Sequence, residues 1–174
     1  MGERIRRAGI ETRFGPLLCA ATEAGVCLVV LEAERRPEAL ARWVDRYAPG
    51  ATVVEDPQFL ADAGAQLAAY GEGRLRDFDL PLDPRGSDFE LAVWRALAAI
   101  PYGRTRTYGE LAAALGRRGA ARAVGRAAGR NPLPVLIPCH RLLARGGLGG
   151  FSGGLDLKRR LLSIEGVAVQ AEFS

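Results

Sequence analysis

The chain has few of the side chains from which most metal and cofactor sites are built. Its 174 residues include three cysteines, Cys19, Cys27 and Cys139, and one histidine, His140. Cys19 and Cys27 flank a predicted turn with no further cysteine or histidine nearby, whereas a structural zinc site takes about four ligands. An odd number of cysteines in a chain with no sign of secretion also argues against disulfides. The sequence therefore predicts no metal, no cofactor and no disulfide, with Cys19 and Cys27 as core residues of strands.

Long apolar stretches are missing as well. The chain contains no run of about 18 apolar residues, the length that a membrane span needs. The charged residues at its start are followed by no apolar stretch, which argues against a secretory signal. A hydrophobic content of 48% is that of a folded protein. We expect a monomer in the prokaryotic cytoplasm, without a membrane partner.

Lysine is nearly absent, because Lys158 is the only one, and the net charge of +4 therefore comes from arginine. Seven arginines fall within 27 residues that contain one acidic residue, Glu110. They are Arg104, Arg106, Arg117, Arg118, Arg122, Arg126 and Arg130. A stretch of one sign is often only a solvated face, but it is also a suitable surface for DNA phosphates.

The first half of the chain predicts a small α+β domain over residues 1–82. Apolar runs on either side of Thr22–Gly25 indicate a β-hairpin. Helical spacing of apolar residues indicates helices over 37–48 and from Pro57 to Gly71, with a short strand between them at Thr52–Val54. We find no constellation of chemical groups in this half and interpret it as a scaffold.

The second half, residues 83–174, begins two helices in the same way. Ser87–Glu90 and Thr107–Glu110 both fit the capping box, in which a hydroxyl and a carboxylate bond the free amides at a helix start. A glycine-containing turn joins the second of these helices to a third at about Ala120–Gly129, which predicts a helix-turn-helix. Generic helical hairpins share this pattern, so on its own it does not establish DNA binding.

The third helix is built from small residues and arginine. Gly125 lies in its middle and costs about 1 kcal/mol relative to alanine, so the position needs a reason. Close packing against a neighbouring helix is one explanation. The other is that a face of alanine and glycine lets the backbone lie deep in a narrow groove of DNA, with Arg122 projecting from the first turn.

The segment Pro132–Arg141 ends on the only histidine of the chain, directly after Cys139. Its apolar run, Leu133–Ile137, is too short and too rich in flanking proline for a helix and is predicted to be buried. A thiol and an imidazole held at the edge of a core can form an activated nucleophile. A lone cysteine can equally be a small buried hydrophobe.

Further motifs surround this segment in a fixed order. They are Thr107–Ala112, Ala121–Gly125, Asn131–Pro132, Gly150–Gly154 and Leu161–Gly166. In that order and spacing, the stretch from Phe89 to Gly166 resembles the 6-O-alkylguanine-DNA alkyltransferases, also called methylated-DNA–protein-cysteine methyltransferases. The resemblance implies an α+β protein, with a small N-terminal α/β domain of ribonuclease-H-like fold and a mainly helical, winged-helix-like C-terminal domain.

The resemblance also implies a function. Members of this family repair duplex DNA by moving a methyl or larger alkyl group from 6-O-alkylguanine, and from 4-O-alkylthymine, onto their own cysteine. The reaction is irreversible and happens once per protein molecule. The implied nucleophile is Cys139, with His140 as a base acting through a water molecule, Glu165 orienting His140, and Tyr108 donating to the flipped base.

The same resemblance assigns the DNA contacts and the pocket. Arg122 is the finger that enters the duplex where the base has left, and the helix docks in the minor groove of the alkylated DNA. The remaining contacts are Ala121, Ala123, Gly125 and Arg126. Asn131 ties the helix to the cysteine segment, and Phe151 and Ser152 form a glycine-rich lid. Many relatives have tyrosine in place of Phe151, so this departure leaves the preference for methyl or larger groups open.

Other functions fit parts of the pattern. A cysteine hydrolase uses the same two residue types but brings its histidine from far along the chain. A non-catalytic sensor of alkyl lesions has the same fold but replaces the cysteine, which is intact here. A helix-turn-helix regulator needs no thiol.

Overall fold

A computed structural model describes residues 2–31 and 36–169. The chain divides into two compact units, Met1–Arg85 and Gly86–Ser174. The first is built around a mixed β-sheet and the second is mainly helical, so the predicted α+β class is confirmed. Among the described helices, none has the length and apolar character needed to cross a membrane.

In the residues that the structure describes, the first unit contains a four-stranded sheet with two helices. The strands are β1 (Arg4–Ile10), β2 (Leu17–Ala21), β3 (Val26–Val30) and β4 (Thr52–Glu55), in the order β3-β2-β1-β4. β2 pairs antiparallel with both β1 and β3, whereas β4 runs parallel to β1. The helices are α1 (Arg36–Tyr47) and α2 (Ala61–Gly71). Every residue of β2 and β3 is buried, which explains their continuous apolar sequence.

Three details of this unit test the sequence predictions. The hairpin is confirmed, and its turn is closed by Thr22, whose amide donates to the Gly25 carbonyl at 2.9 Å. β1 was not predicted, because its arginines hide the alternation of a strand. The helix predicted from Pro57 begins only at Ala61, since the Asp56 carboxylate accepts from the Phe59 amide at 3.0 Å and stabilises a turn there.

Arg85 fastens the last residues of the first unit to its beginning. Its guanidinium donates to Glu3 at 2.6 and 3.0 Å, to Asp83 at 2.8 Å and to the Tyr47 carbonyl at 2.8 Å. Asp83 also accepts from the Thr22 hydroxyl at 2.7 Å. The segment that leaves the sheet is therefore held at both the hairpin turn and the N-terminal strand.

Up to residue 169, the second unit contains four α-helices and a short parallel pair of strands. They are α3 (Asp88–Ala98), β5 (Arg106–Thr107), α4 (Tyr108–Ala114), α5 (Ala121–Gly129), β6 (Leu142–Leu143) and α6 (Leu155–Ile164). β5 pairs with β6, and a 3₁₀ turn over Cys139–Arg141 directly precedes β6. The glycine turn between α4 and α5 confirms the helix-turn-helix.

Both predicted capping boxes are present. At the start of α3, the Glu90 amide donates to the Ser87 hydroxyl at 3.2 Å and the Ser87 amide donates to the Glu90 carboxylate at 2.9 Å. Thr107 and Glu110 make the same pair of bonds at 3.1 and 2.7 Å at the start of α4. Because Tyr108 is the first residue of α4, its position is fixed by this cap.

Candidate active site

The cysteine segment is a buried loop braced by the side chain of Asn131. The Asn131 amide group donates to the Ile137 carbonyl at 2.8 Å, and its oxygen accepts from the Leu133 amide at 2.9 Å. Val135 is 1% exposed and has a φ of 75°, a left-handed conformation that β-branched residues rarely adopt. Packing and these hydrogen bonds therefore impose the backbone course that leads to the thiol.

Cys139 begins the 3₁₀ turn and is only 8% exposed. Burial raises the pKa of its thiol above the ordinary value, so the resting group is a neutral thiol. Hydrogen bonds from the Asn131 side chain and from the Cys139 and His140 amides, together with the Lys158 charge, oppose this shift. The sulfur is thus neutral at rest, but donors already face the position where its negative charge develops.

His140 and Glu165 form a fully buried pair next to this cysteine. The His140 Nε2 atom lies 2.7 Å from Glu165 Oε1, and both side chains are 0% exposed. Burial lowers the pKa of His140, although Glu165 opposes the shift, so the imidazole is neutral at neutral pH. An ionised carboxylate can only accept, which assigns the hydrogen to Nε2 and leaves Nδ1 as the basic nitrogen.

Arg141 completes this cluster and was not singled out from the sequence. Its guanidinium donates to the Glu165 carboxylate from Nε at 2.9 Å and from Nη2 at 2.9 Å, and from Nη1 to the Ile100 carbonyl at 2.5 Å. The second Glu165 oxygen also accepts from the Gly103 amide at 3.0 Å. Three consecutive side chains of the turn, Cys139 to Arg141, therefore all belong to the site.

A cavity of about 220 Å³ opens onto the thiol. It is lined by Tyr108, Gly125, Ala128, Gly129, Cys139, Gly150, Phe151 and Ser152. Two of these residues, Tyr108 and Phe151, are aromatic, the others are small, and none is of a charged residue type. Such a slot suits a flat, uncharged heterocycle.

Tyr108 and the lid are in contact beside this cavity. Burial raises the pKa of the Tyr108 hydroxyl, although a hydrogen bond with the Gly150 backbone opposes the shift, so the group stays a donor at neutral pH. A Cβ added to Gly149 would lie 2.7 Å from the Tyr108 hydroxyl oxygen. The glycine at position 149 therefore allows the lid to touch the tyrosine, a contact that the sequence alone did not locate.

Lys158, the only lysine, is 0% exposed on α6 and was likewise missed as a site residue. Its ammonium donates to the carbonyls of Leu142 at 2.6 Å, Leu148 at 2.5 Å and Gly150 at 3.1 Å. Burial lowers its pKa to about 8, and the charge of an ionised Cys139 opposes this shift. The lysine thus ties the lid to β6 and places a positive charge near the sulfur.

The predicted DNA-contact residues lie on α5. Arg122 and Arg126 are exposed, and Ala121, Ala123 and Gly125 are partly buried. A shallow apolar depression connects Arg122 with Tyr108 at the cavity. A Cβ on Gly125 would contact the Tyr108 ring at an ordinary 3.5 Å, so close helix packing does not by itself require glycine there.

Within residues 2–31 and 36–169, no group of three or more histidine, cysteine, aspartate or glutamate side chains could hold a metal ion. Cys19 and Cys27 are both 0% exposed in strands β2 and β3, as predicted. They lie in the first unit and take no part in this site.

Comparisons with known proteins agree across the whole chain. One family model, described as 6-O-methylguanine DNA methyltransferase, ribonuclease-like domain, matches residues 5–84. A second, the DNA binding domain of the same family, matches residues 88–167. The methylated-DNA–protein-cysteine methyltransferase of Methanosarcina barkeri is 44% identical to this chain over 158 residues, which cover 90% of this chain and 94% of that protein. The Mycolicibacterium paratuberculosis protein is 53% identical over 127 residues, covering 71% and 77%.

Solved structures give the same answer. The crystal structure of the Mycobacterium tuberculosis O6-methylguanine methyltransferase is 39% identical and superposes with a TM-score of 0.80 over 96% of both chains. The OGT protein of that organism in complex with DNA superposes with a TM-score of 0.75 at 39% identity, covering 93% of this chain and 92% of that one. With both halves matched in sequence and in fold, this chain belongs to the 6-O-methylguanine DNA methyltransferase family.

Proposed function

We propose that this protein repairs duplex DNA by transferring the alkyl group of 6-O-alkylguanine to the sulfur of Cys139, once per molecule. The observation that carries this proposal is the position of the thiol. It lies at a cavity of about 220 Å³ and is followed directly by a buried His140–Glu165 pair at 2.7 Å. Nucleophile, base and orienting carboxylate repeat the logic of hydrolase triads.

The chemical step balances with groups of this chain and the substrate alone. His140 takes the thiol proton through a bridging water molecule, and the sulfur attacks the alkyl carbon in line with the carbon–oxygen bond. A carbon–sulfur bond forms, the bond to O6 breaks, and its electron pair passes to the guanine ring. The Tyr108 hydroxyl donates to that ring as charge develops there. The proton that the thiol gave to His140 returns through water to the guanine, which stays in the DNA, and Cys139 ends as a thioether.

Access to the alkylated base requires that it leave the helix stack, because the thiol is buried. The small-residue face of α5 suits the minor groove, where Ala121, Ala123 and Gly125 permit close approach of the backbone. Arg122 then occupies the space of the departed base, and Arg126 contacts the phosphates. We propose that the protein acts as a monomer in the cytoplasm and accepts 4-O-alkylthymine as a second substrate.

A lesion sensor on the same fold would bind the same DNA without reacting. The thiol, its hydrogen-bond donors and the His140–Glu165 pair favour the transferase, since a sensor needs none of them.

The test follows a radiolabelled methyl group on guanine O6 in duplex DNA, with excess substrate. We expect the label to appear on Cys139 in a thioether and to reach a plateau at one equivalent per protein. Cys139→Ala should still bind the duplex but take up no label. Label on Cys19 or Cys27, or no label on the wild type, would refute the proposal. Removal of more than one equivalent of methyl groups from the DNA per protein molecule would refute single turnover.

A further inference from the structure

Arg141 is the third side chain of the turn that presents Cys139 and His140, and it is the group that holds Glu165. We propose that Arg141 is a positioning residue for alkyl transfer: by its paired bonds to the Glu165 carboxylate, it keeps His140 in the tautomer that can take the thiol proton. The inference rests on the proposed function, because it assigns a role within the same site.

The geometry leaves Glu165 almost no freedom. Two guanidinium nitrogens of Arg141 reach its two oxygens at 2.9 Å each, and the Gly103 amide adds a bond at 3.0 Å. Arg141 is itself fixed by the Ile100 carbonyl at 2.5 Å and lies over the Tyr102 ring, 5.7 Å from its centre. Its side chain is 8% exposed and that of Glu165 is 0% exposed, so water screens this pair very little.

The charge on Arg141 decides which proton arrangement is stable. With Arg141 present, the buried cluster holds one positive and one negative charge beside a neutral His140, and Glu165 remains an acceptor. Without Arg141, burial favours a neutral Glu165 acid, which donates to Nε2 and shifts the histidine hydrogen to Nδ1. The nitrogen that should accept the thiol proton is then already occupied, as when the carboxylate of a hydrolase triad is replaced by an amide.

Other charged groups near this cluster act differently. Lys158 lowers the pKa of His140 but hydrogen-bonds only to the backbone carbonyls of Leu142, Leu148 and Gly150. Cys139 is neutral at rest. Within the described part of the chain, Arg141 is the charged side chain that donates hydrogen bonds to both oxygens of Glu165.

The single histidine makes a direct test possible. In protein labelled with ¹⁵N histidine, the two imidazole nitrogens of His140 give the only histidine signals, and their shifts report the tautomer. We expect the Nε2–H form in the wild type and in Arg160→Met, which removes an exposed arginine from α6. Arg141→Met should shift the population to Nδ1–H or to a mixture, and Arg141→Lys should lie between.

Activity gives the second readout, with free 6-O-benzylguanine as the substrate so that DNA binding does not contribute. We expect Arg141→Met to slow transfer about 10- to 100-fold, the cost found when a metal-bound histidine loses the group that orients it, and to move the pH of half-maximal rate upward. In a Glu165→Gln background, the same substitution should change the rate by less than about twofold, because the group through which it acts is gone.

The proposal is overturned if Arg141→Met leaves the tautomer unchanged, or if it slows transfer equally in both backgrounds. Thermal melting establishes that each variant is folded, and if Arg141→Met does not fold, Arg141→Lys carries both readouts. A wild-type protein that transfers nothing to Cys139 would refute the proposed function, whereas a changed tautomer in its Arg141→Met variant would still show that Arg141 sets the protonation of His140.

Discussion

Replacing Gly149 by alanine tests how the lid and Tyr108 form the cavity. Gly149 has a φ of +72°, and a Cβ there would lie 2.7 Å from the Tyr108 hydroxyl oxygen, 2.8 Å from a ring carbon and 3.1 Å from the Ala144 amide nitrogen. Gly146, in the same loop, has a φ of +80° and nothing within 4 Å of its Cβ position. Gly146→Ala therefore imposes the same backbone strain without the collision.

The magnitudes of the two effects can be separated. An L-residue in the left-handed region costs about 1–2 kcal/mol, which applies to both variants. Carbon atoms pack best at about 3.5–4.0 Å, so the added methyl at position 149 overlaps its neighbours and adds about 1–3 kcal/mol. For a unit of this size, each kcal/mol lowers the melting temperature by about 4–8 °C. We expect Gly149→Ala to melt at least about 4 °C below Gly146→Ala.

The same pair of variants should differ in activity. To accommodate the methyl group, Tyr108 or the lid must move, and the slot beside Cys139 changes shape. Transfer from free 6-O-benzylguanine should therefore slow in Gly149→Ala and stay close to the wild-type rate in Gly146→Ala. Equal melting temperatures and equal rates in the two variants would show that Tyr108 and the lid are not in contact in solution.

Three further predictions concern other parts of the chain. Arg122→Ala should slow repair of duplex DNA more than reaction with free 6-O-benzylguanine, because only the duplex requires a base to unstack; equal losses would remove Arg122 from base flipping. His140→Ala and Glu165→Gln should each slow transfer and raise the pH of half-maximal rate, and two unchanged pH profiles would exclude them from the site. Burial raises the pKa of Cys19 and of Cys27 to about 12, so the folded state resists their ionisation, and the free energy of unfolding should fall as the pH rises from about 9 towards 12. The melting temperature of wild-type protein should then fall more steeply over that range than that of the Cys19→Ala, Cys27→Ala double variant; parallel curves would contradict it.

Local signals in the sequence predicted most of the second unit. The two capping boxes and the glycine turn need only a few neighbouring residues, and these elements lie where they were expected. The buried run before Cys139 follows in the same way from its apolar residues and prolines. In the first unit, the sequence did not predict β1, because its arginines interrupt the apolar pattern. They form ion pairs at the sheet surface, such as Arg7 with Glu55 at 2.9 Å.

The remaining site residues depend on contacts between distant positions. Glu165 lies 24 residues from Arg141 in sequence, and no local pattern shows that their side chains meet. Lys158 was visible as the only lysine, but its three carbonyl partners come from β6 and the lid, so its burial could not be read from its neighbours. Gly149 was one of several glycines in the lid, and only the fold distinguishes it by its approach to Tyr108.

The burial of Cys139 also affects how long the thiol survives unreacted in the absence of damaged DNA. A reagent that works once is wasted by any side reaction, and an exposed thiolate is consumed by oxidants and soluble alkylating agents. Here Cys139 is 8% exposed, and its burial keeps the thiol neutral at rest. Burial of the thiol thus protects the protein from side reactions, so that more of its molecules keep a free Cys139 for reaction with an alkylated base.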